Sequence, residues 1–368
     1  MKILVHCVYF PPEVGGLESH VYYLCRALVE MGHQVDVVTS RSQPGLAPEE
    51  VMEGIRVFRS WLPGRNPAAW AAHALASVPR TRLLAMEADV IHAQAFPSVV
   101  PCMAGRRISR APLVATFHTS HFLTRAGSPL WAPVLGYLVR APDHALAASS
   151  EIARVAEALA PGVPVEALTN GVETSFFRPV EPALSPSGRP RILVPRRLFR
   201  KNGVEYFVRA MPLILAEMEV DAVLVGDGPE RERLEALAGS LGVDERIRFM
   251  GKQPHERMPA LLSSGSLAVV PSLMEATSVA ALEAMACGVP VAASAVGGLP
   301  EIVDPEVGGL FGPGNPEALA ETVLALLRDP ELPEKGRRAR ERVVARWSNR
   351  RLAERHLEIY ENLLKGRG

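Results

Sequence analysis

Two glutamates, Glu275 and Glu283, stand with seven residues between them in the run S-L-M-E-A-T-S-V-A-A-L-E-A-M-A-C-G-V-P-V-A-A-S. An ionised carboxylate only accepts hydrogen bonds, and its two oxygens match the spacing of vicinal hydroxyls. Two carboxylates on one element are therefore equipped to hold the sugar and the ribose of a single donor. The pattern predicts a helix starting near Thr277 or Ser278, either of which is a good N-cap. Glu275 then stands just before the helix and Glu283 about two turns inside it. Backbone N–H groups from Thr277, Ser278 and Val279 would face a ligand and suit a phosphate or a sugar hydroxyl. Glutamate is also an ordinary helix residue. Spacing alone leaves equally open a capping carboxylate followed by a solvent-facing one.

Cations and glycines supply the other candidates. The segment R-I-L-V-P-R-R-L-F-R-K-N-G gathers Arg196, Arg197, Arg200 and Lys201 behind an apolar run. The guanidinium fork donates two parallel hydrogen bonds and suits a diphosphate; a solvated basic loop is the plain alternative. In F-P-P-E-V-G-G-L-E-S-H, Gly15 and Gly16 stand between an apolar run and a helical stretch. Such glycines let backbone N–H groups approach a phosphate, or simply make a tight connection. His118 closes the run V-A-T-F-H and His92 sits likewise in D-V-I-H-A-Q. A histidine there serves either packing or chemistry; His20 and His121 give a weaker signal. The G-x-G of Gly226–Gly228 lacks the acidic residue of a dinucleotide site.

These loops need elements to hold them. KILVHCVYF reads as a strand buried on both faces, SHVYYLCRALVEMGH as a helix ending near Gly32, and QVDVVTS as a strand, together a βαβ unit. IRVFRS, DVIHAQ, PLVATFH, HALAASS and VEALTNG continue the strands. The Pro-rich stretch 179–190 reads as a linker. The alternation then restarts with RILVPRR, AVLVGDG, IRFMG, LAVVPS and PVAAS as strands, and residues from about 330 to 364 are helical and charged. Two domains follow, 1–178 and 179–348. Parallel sheets bind ligands at the carboxyl ends of their strands, which places a ligand in a cleft between such halves.

Composition narrows the class. Forty basic residues balance forty acidic ones over 368 residues, which argues against nucleic acid as the main ligand. The four cysteines, Cys7, Cys25, Cys102 and Cys287, are widely spaced and read as reduced, buried thiols, not a zinc site. The opening run breaks at Pro11–Pro12 without a cleavage signal. No apolar run is long enough to span a membrane, and a cytoplasmic location is expected. There is no D-x-D motif for a catalytic divalent metal.

The run E-A-T-S-V-A-A-L-E-A-M-A-C-G-V-P-V-A-A-S-A-V-G-G-L-P-E-I-V over 275–303 resembles the signature of glycosyltransferase family four: two glutamates with seven residues between them, then A-M-A-x-G-x-P-V and V-G-G-x-P-E. R-R-L-F-R-K-N-G resembles the family's G-R-L-x-x-x-K-G loop, with Arg196 at the glycine and Asn202 at the lysine position. P-P-E-V-G-G, T-F-H-T, N-G-V-E-T-S-F-F-R-P and V-G-D-G-P resemble further family segments, so the likeness covers nearly the whole chain. It implies a GT-B fold: α/β, two Rossmann-like parallel-sheet domains facing a cleft, with the C-terminal helix 349–368 packing back on the first. The first domain would bind the acceptor and the second the nucleotide sugar. By resemblance Glu275 contacts the donor sugar and Glu283 the ribose, while Thr277, Ser278 and Val279 line the donor. Arg197 matches the arginine that neutralises the leaving diphosphate, with Lys201 one position out of register and Arg196 beside them. Gly15 and Gly16 reach the donor phosphate, and His118 lies near the transferring sugar. Ala276, Thr277 and Ser278 replace the Gly-Phe-Gly or Gly-Leu of many members.

The expected activity is a retaining hexosyl transfer from a UDP-, GDP- or ADP-sugar to a glycan, lipid-linked or small-molecule hydroxyl, with no cofactor and no metal. A nucleotide-sugar epimerase or hydrolase of the same fold, and a non-catalytic nucleotide-sugar-binding protein, are the alternatives. The stretch 121–142 mixes Phe122, Leu123, Trp131, Leu135, Tyr137 and Leu138 with Arg125 and Arg140. It reads first as a packed helix with basic ends, and second as a peripheral contact with the inner membrane face that would receive a lipid-linked acceptor.

Overall fold

A computed structural model of the chain describes residues 1–13, 15–118 and 120–366. The chain divides into two units, residues 1–171 with 349–368, and residues 172–348.

The first unit holds an eight-stranded sheet: β1 Lys2–His6, β2 Gln34–Ser40, β3 Glu49–Met52, β4 Ile55–Ser60, β5 Val90–Gln94, β6 Leu113–Phe117, β7 His144–Ala147 and β8 Val165–Ala167. Their order is β3-β4-β2-β1-β5-β6-β7-β8. Every pairing is parallel except the β3–β4 hairpin. β1, β5 and β6 are buried along nearly their whole length, which is why they read as unbroken apolar runs. The β3 segment E-E-V-M escaped the sequence reading because it is an exposed edge strand carrying two charges. The C-terminal helix Asn349–Lys365 belongs to this unit, with Leu352, Ala353, Ile359 and Tyr360 in the core cluster that holds Ile3, Val5, Val21 and Leu24.

The second unit holds a six-stranded, wholly parallel sheet: β9 Arg191–Val194, β10 Asp221–Leu224, β11 Ile247–Phe249, β12 Leu267–Val270, β13 Val291–Ser294 and β14 Gly308–Phe311, ordered β11-β10-β9-β12-β13-β14. Helices cover both faces, and apolar clusters lie on each side. The first boundary falls between Gly171 and Val172 instead of at 178/179, because Val172 and Phe177 are already in this unit's core. The Pro-rich stretch is not a free linker. Val180 N–H and Leu184 N–H donate to the hydroxyls of Ser263 and Ser264, and Ala183 N–H donates to the Ala260 carbonyl.

Candidate functional site

In the second unit, two loops leave the carboxyl ends of neighbouring strands, β9 and β12. The Arg196 Nη2 group reaches across from the first to the second. It donates to Ser272 Oγ at 2.8 Å and Glu275 Oε2 at 2.6 Å, and within its own loop to Asn202 Oδ1 at 3.0 Å. Ser272 Oγ also lies 3.3 Å from Glu275 Oε2. The backbones are joined too, as Leu273 and Met274 N–H both donate to the Lys201 carbonyl. The Arg196 and Glu275 side chains are only 11% and 15% exposed. A pair this enclosed gains little net stability after desolvation, so its consequence is geometric: it fixes the Glu275 carboxylate in one place. The Arg196 Nε–H is buried with no partner among the described residues, which leaves a donor for an anionic ligand.

Three glycines permit this closeness. A Cβ on Gly203 would lie 1.9 Å from the Pro271 carbonyl oxygen, on Gly226 2.1 Å from that of Arg196, and on Gly297 1.8 Å from that of Glu275. All three also take positive φ, where other residues are strained. Gly203, Gly297 and Ser272 are thus builders of the site that the sequence reading did not single out, and Gly226 and Asn202 build it in a way the sequence reading did not foresee. Their signal was their place in the loops after strands, but no spacing rule marks a backbone contact between loops distant in sequence.

The two adjacent arginines differ in their surroundings. Arg197 is exposed, with its guanidinium over the Phe199 ring, whereas Arg196 meets Glu275. Arg196 and Lys201 are five residues apart, the Arg-to-Lys spacing of G-R-L-x-x-x-K-G, while Leu198 and Gly203 keep the register that puts Arg197 at the family arginine. Asn202, at the lysine position of the family loop, is 4% exposed and its side-chain amide donates to the Arg197 carbonyl. Burial, then the neighbouring Arg197, lower the Lys201 pKa, with Arg196 adding to this and Glu275 opposing it. Burial is the larger cause.

Ser278 is the N-cap of the helix Val279–Ala286, its Oγ accepting from Ala281 N–H at 3.3 Å. Thr277 and Ser278 are buried and Val279 is partly exposed. Glu283 lies on this helix and is half-buried. Burial pushes its carboxyl up to about 8, so it is protonated at neutral pH when no ligand is bound.

In the first unit, Gly15 caps the helix Gly16–Glu30 with an extended backbone. A Cβ there would lie 2.3 Å from Glu18 Oε2, so this glycine makes room for a side chain of its own helix. His118 follows β6 as expected, yet it is 2% exposed and does not stand open at the strand end. Its Nε2 lies 2.7 Å from Gln94 Oε1, and its ring centroid is 5.1 Å from that of His20. Burial lowers its pKa to about 3, with His356 adding to the effect. His92 is also enclosed, between Tyr360 Oη at 2.6 Å and Thr116 Oγ1 at 2.7 Å.

In the stretch 121–142, Phe122, Leu135 and Leu138 are buried, while Leu130 and Tyr137 are exposed. Arg125 lies over the rings of Trp70, Phe96 and Trp131. No helix among the described residues is long and apolar enough to cross a membrane. The four cysteines are free and buried.

Two Rossmann-like parallel-sheet units in one chain, with polar residues gathered on the loops after the strands, define the GT-B class of glycosyltransferases. Sucrose-phosphate synthase from Thermosynechococcus elongatus shares this fold with a TM-score of 0.86 and 26% identity, covering 99% of both chains. Anabaena HepE, solved in complex with UDP and glucose, shares it with a TM-score of 0.78 and 22% identity over 98% of this chain and all of its own. Residues 14–176 match the model of Glycosyltransferase Family 4, and residues 178–342 match that of Glycosyl transferases group 1. An uncharacterized glycosyltransferase of Methanocaldococcus jannaschii is 30% identical, covering 89% of this chain and 90% of that protein. The glycogen synthase of Mycobacterium tuberculosis is 29% identical, covering 98% and 94%. The chain belongs to glycosyltransferase family four.

Proposed function

We propose that this glycosyltransferase moves a hexosyl group from a nucleotide-diphosphate sugar to a hydroxyl acceptor, with retention at the anomeric carbon and without a metal. The observation that carries this reading is the Arg196–Ser272–Glu275 cluster with Lys201 beside it. Glu275, held by Arg196 through one oxygen, offers the other to a donor-sugar hydroxyl. Arg196, with its uncommitted Nε–H, and Lys201 supply positive charge where the diphosphate leaves. Backbone N–H groups at the start of the Val279–Ala286 helix add to it. Glu283 takes the ribose diol, His118 serves the transferring sugar, and Gly16 lies toward the donor phosphate. Charge supplied by side chains and backbone removes the need for a divalent ion at the diphosphate. The departing phosphate then takes the acceptor proton as the hydroxyl attacks from the same face.

The donor is identified by thermal shift against UDP-, GDP- and ADP-glucose, since a ligand that binds the native state stabilises it by mass action. Transfer is then followed in excess EDTA, and the anomeric configuration of the product is read by NMR. No shift with any nucleotide sugar, or an inverted product, overturns the reading. Donor consumption without a transferred product would favour the hydrolase alternative.

A further inference from the structure

The first unit carries a buried polar chain that the donor chemistry leaves unexplained. His92 and Gln94 alternate along β5 and so share one face of the sheet; Thr116 and His118 do the same from β6, in the register Gln94–Thr116. The C-terminal helix lays His356 and Tyr360, four residues apart and on one helix face, against this group. All six residues are at most 2% exposed.

Hydrogen-bond capacity orders the chain. Gln94 Oε1 can only accept, so the 2.7 Å contact requires a proton on His118 Nε2. The Gln94 amide nitrogen then donates to His92 Nε2 at 3.3 Å, and the Thr116 hydroxyl donates to the same nitrogen. That leaves the proton of His92 on Nδ1, facing Tyr360 Oη at 2.6 Å. Turned over, the amide would donate its NH2 to His118 Nε2 and accept at its carbonyl from His92 Nε2–H, giving His118 the opposite tautomer, so the two arrangements are told apart by the proton on His118. In the first arrangement His118 keeps Nδ1 as its one acceptor, a buried atom with no partner among the described residues.

We propose that Gln94 is a positioning residue for His118, fixing its ring plane and its Nε2–H tautomer, with His92 and Tyr360 of the C-terminal helix holding Gln94 in turn. This rests on the reading that His118 serves the transferring sugar. A fixed tautomer matters because only one nitrogen then accepts from a sugar hydroxyl, and the wrong tautomer would present a donor there.

The test uses slow hydrolysis, without acceptor, of whichever of UDP-, GDP- or ADP-glucose gives the largest thermal shift. Gln94→Leu is expected to lower kcat about tenfold or more with KM within about twofold, and Tyr360→Phe about threefold by loosening the support. In a His118→Ala background, Gln94→Leu should cost less than about twofold, since a residue acting through His118 has nothing left to position. The same cost in both backgrounds overturns the proposal while leaving the His118 reading intact. Near-normal turnover by His118→Ala itself overturns that reading, and this inference with it. Should Gln94→Leu not fold, the nitrogen-15 histidine spectrum of the unaltered protein decides instead. A proton on His118 Nε2 supports the proposal, and a proton on Nδ1 overturns it.

Discussion

At the scale of single residues, the site sets Arg196 against Glu275 and leaves Arg197, the arginine the family likeness points to, exposed. Arg196→Ala removes the cation bound to Glu275, and transfer should fall about a hundredfold or more, the loss of ~3 kcal/mol in the transition state. Glu275→Ala should cost as much. Arg197→Ala should change the rate less than about threefold. Initial rates at saturating donor distinguish the two arginines, and an equal loss for both would remove the assignment. Glu283 makes a pH prediction. Its carboxyl stays protonated up to about 8 without ligand, whereas ribose hydroxyls donate best to a carboxylate. Donor binding should release a proton, so affinity should rise as pH climbs from about 6.5 toward 9. Calorimetry in buffers of different ionisation enthalpy reads the proton directly. The same group costs stability as pH rises from its ordinary 4.5 to about 8, because the unfolded chain ionises first. Glu283→Gln should therefore raise Tm of the free protein at pH 8.5 more than at pH 5, while flattening the pH dependence of donor binding.

At the scale of elements, glycine backbone sets how near the loops after β9 and β12 can lie. Gly297→Ala puts a methyl group 1.8 Å from the Glu275 carbonyl at a φ of 57°. This should destabilise the second unit by on the order of 3 kcal/mol and abolish donor binding. Gly312→Ala, with nothing within 4 Å and no positive φ, is the control and should be nearly neutral in urea unfolding. The buried histidines give the first unit an acid sensitivity of definite sign. Burial lowers the pKa of His20, His92, His118 and His356, the last two to about 3 and about 4. The unfolded chain takes up protons below about 6.5, so stability should fall as pH drops from there toward 4. His20 has no hydrogen-bond partner among the described residues. His20→Phe should thus lessen the fall in urea midpoint between pH 7 and pH 4.5.

At the scale of the whole molecule, the last helix in the chain completes the first unit. Its Leu352, Ile359 and Tyr360 are buried with residues from the start of the sequence, and Arg355 pairs through two nitrogens with Glu166 of β8. Each large buried side chain contributes roughly 1.5–3 kcal/mol, so their sum rivals the whole stability of a domain, about 5–15 kcal/mol. A chain ending at residue 348 should lose the native packing of the first unit although residues 1–171 are all present. Near-UV circular dichroism and dye binding would show this, and a native-like spectrum would refute it.

The strands β1, β5, β6, β9 and β12 were legible because a strand buried on both faces must be apolar throughout, whatever surrounds it. The loops after them were legible as chemistry because glutamates, arginines and glycines there recur at family spacing. The edge strand β3 was not, since an exposed strand needs no apolar residues. The sequence by itself determined the fold class, the family and the segment that carries Glu275 and Glu283. Only the tertiary structure decided that Arg196 and not Arg197 meets Glu275, that Glu283 is half-buried, and that His118 is tied through Gln94 and His92 to Tyr360. Those outcomes depend on which side of a loop or strand faces a partner distant in the chain, and local pattern carries no record of that partner.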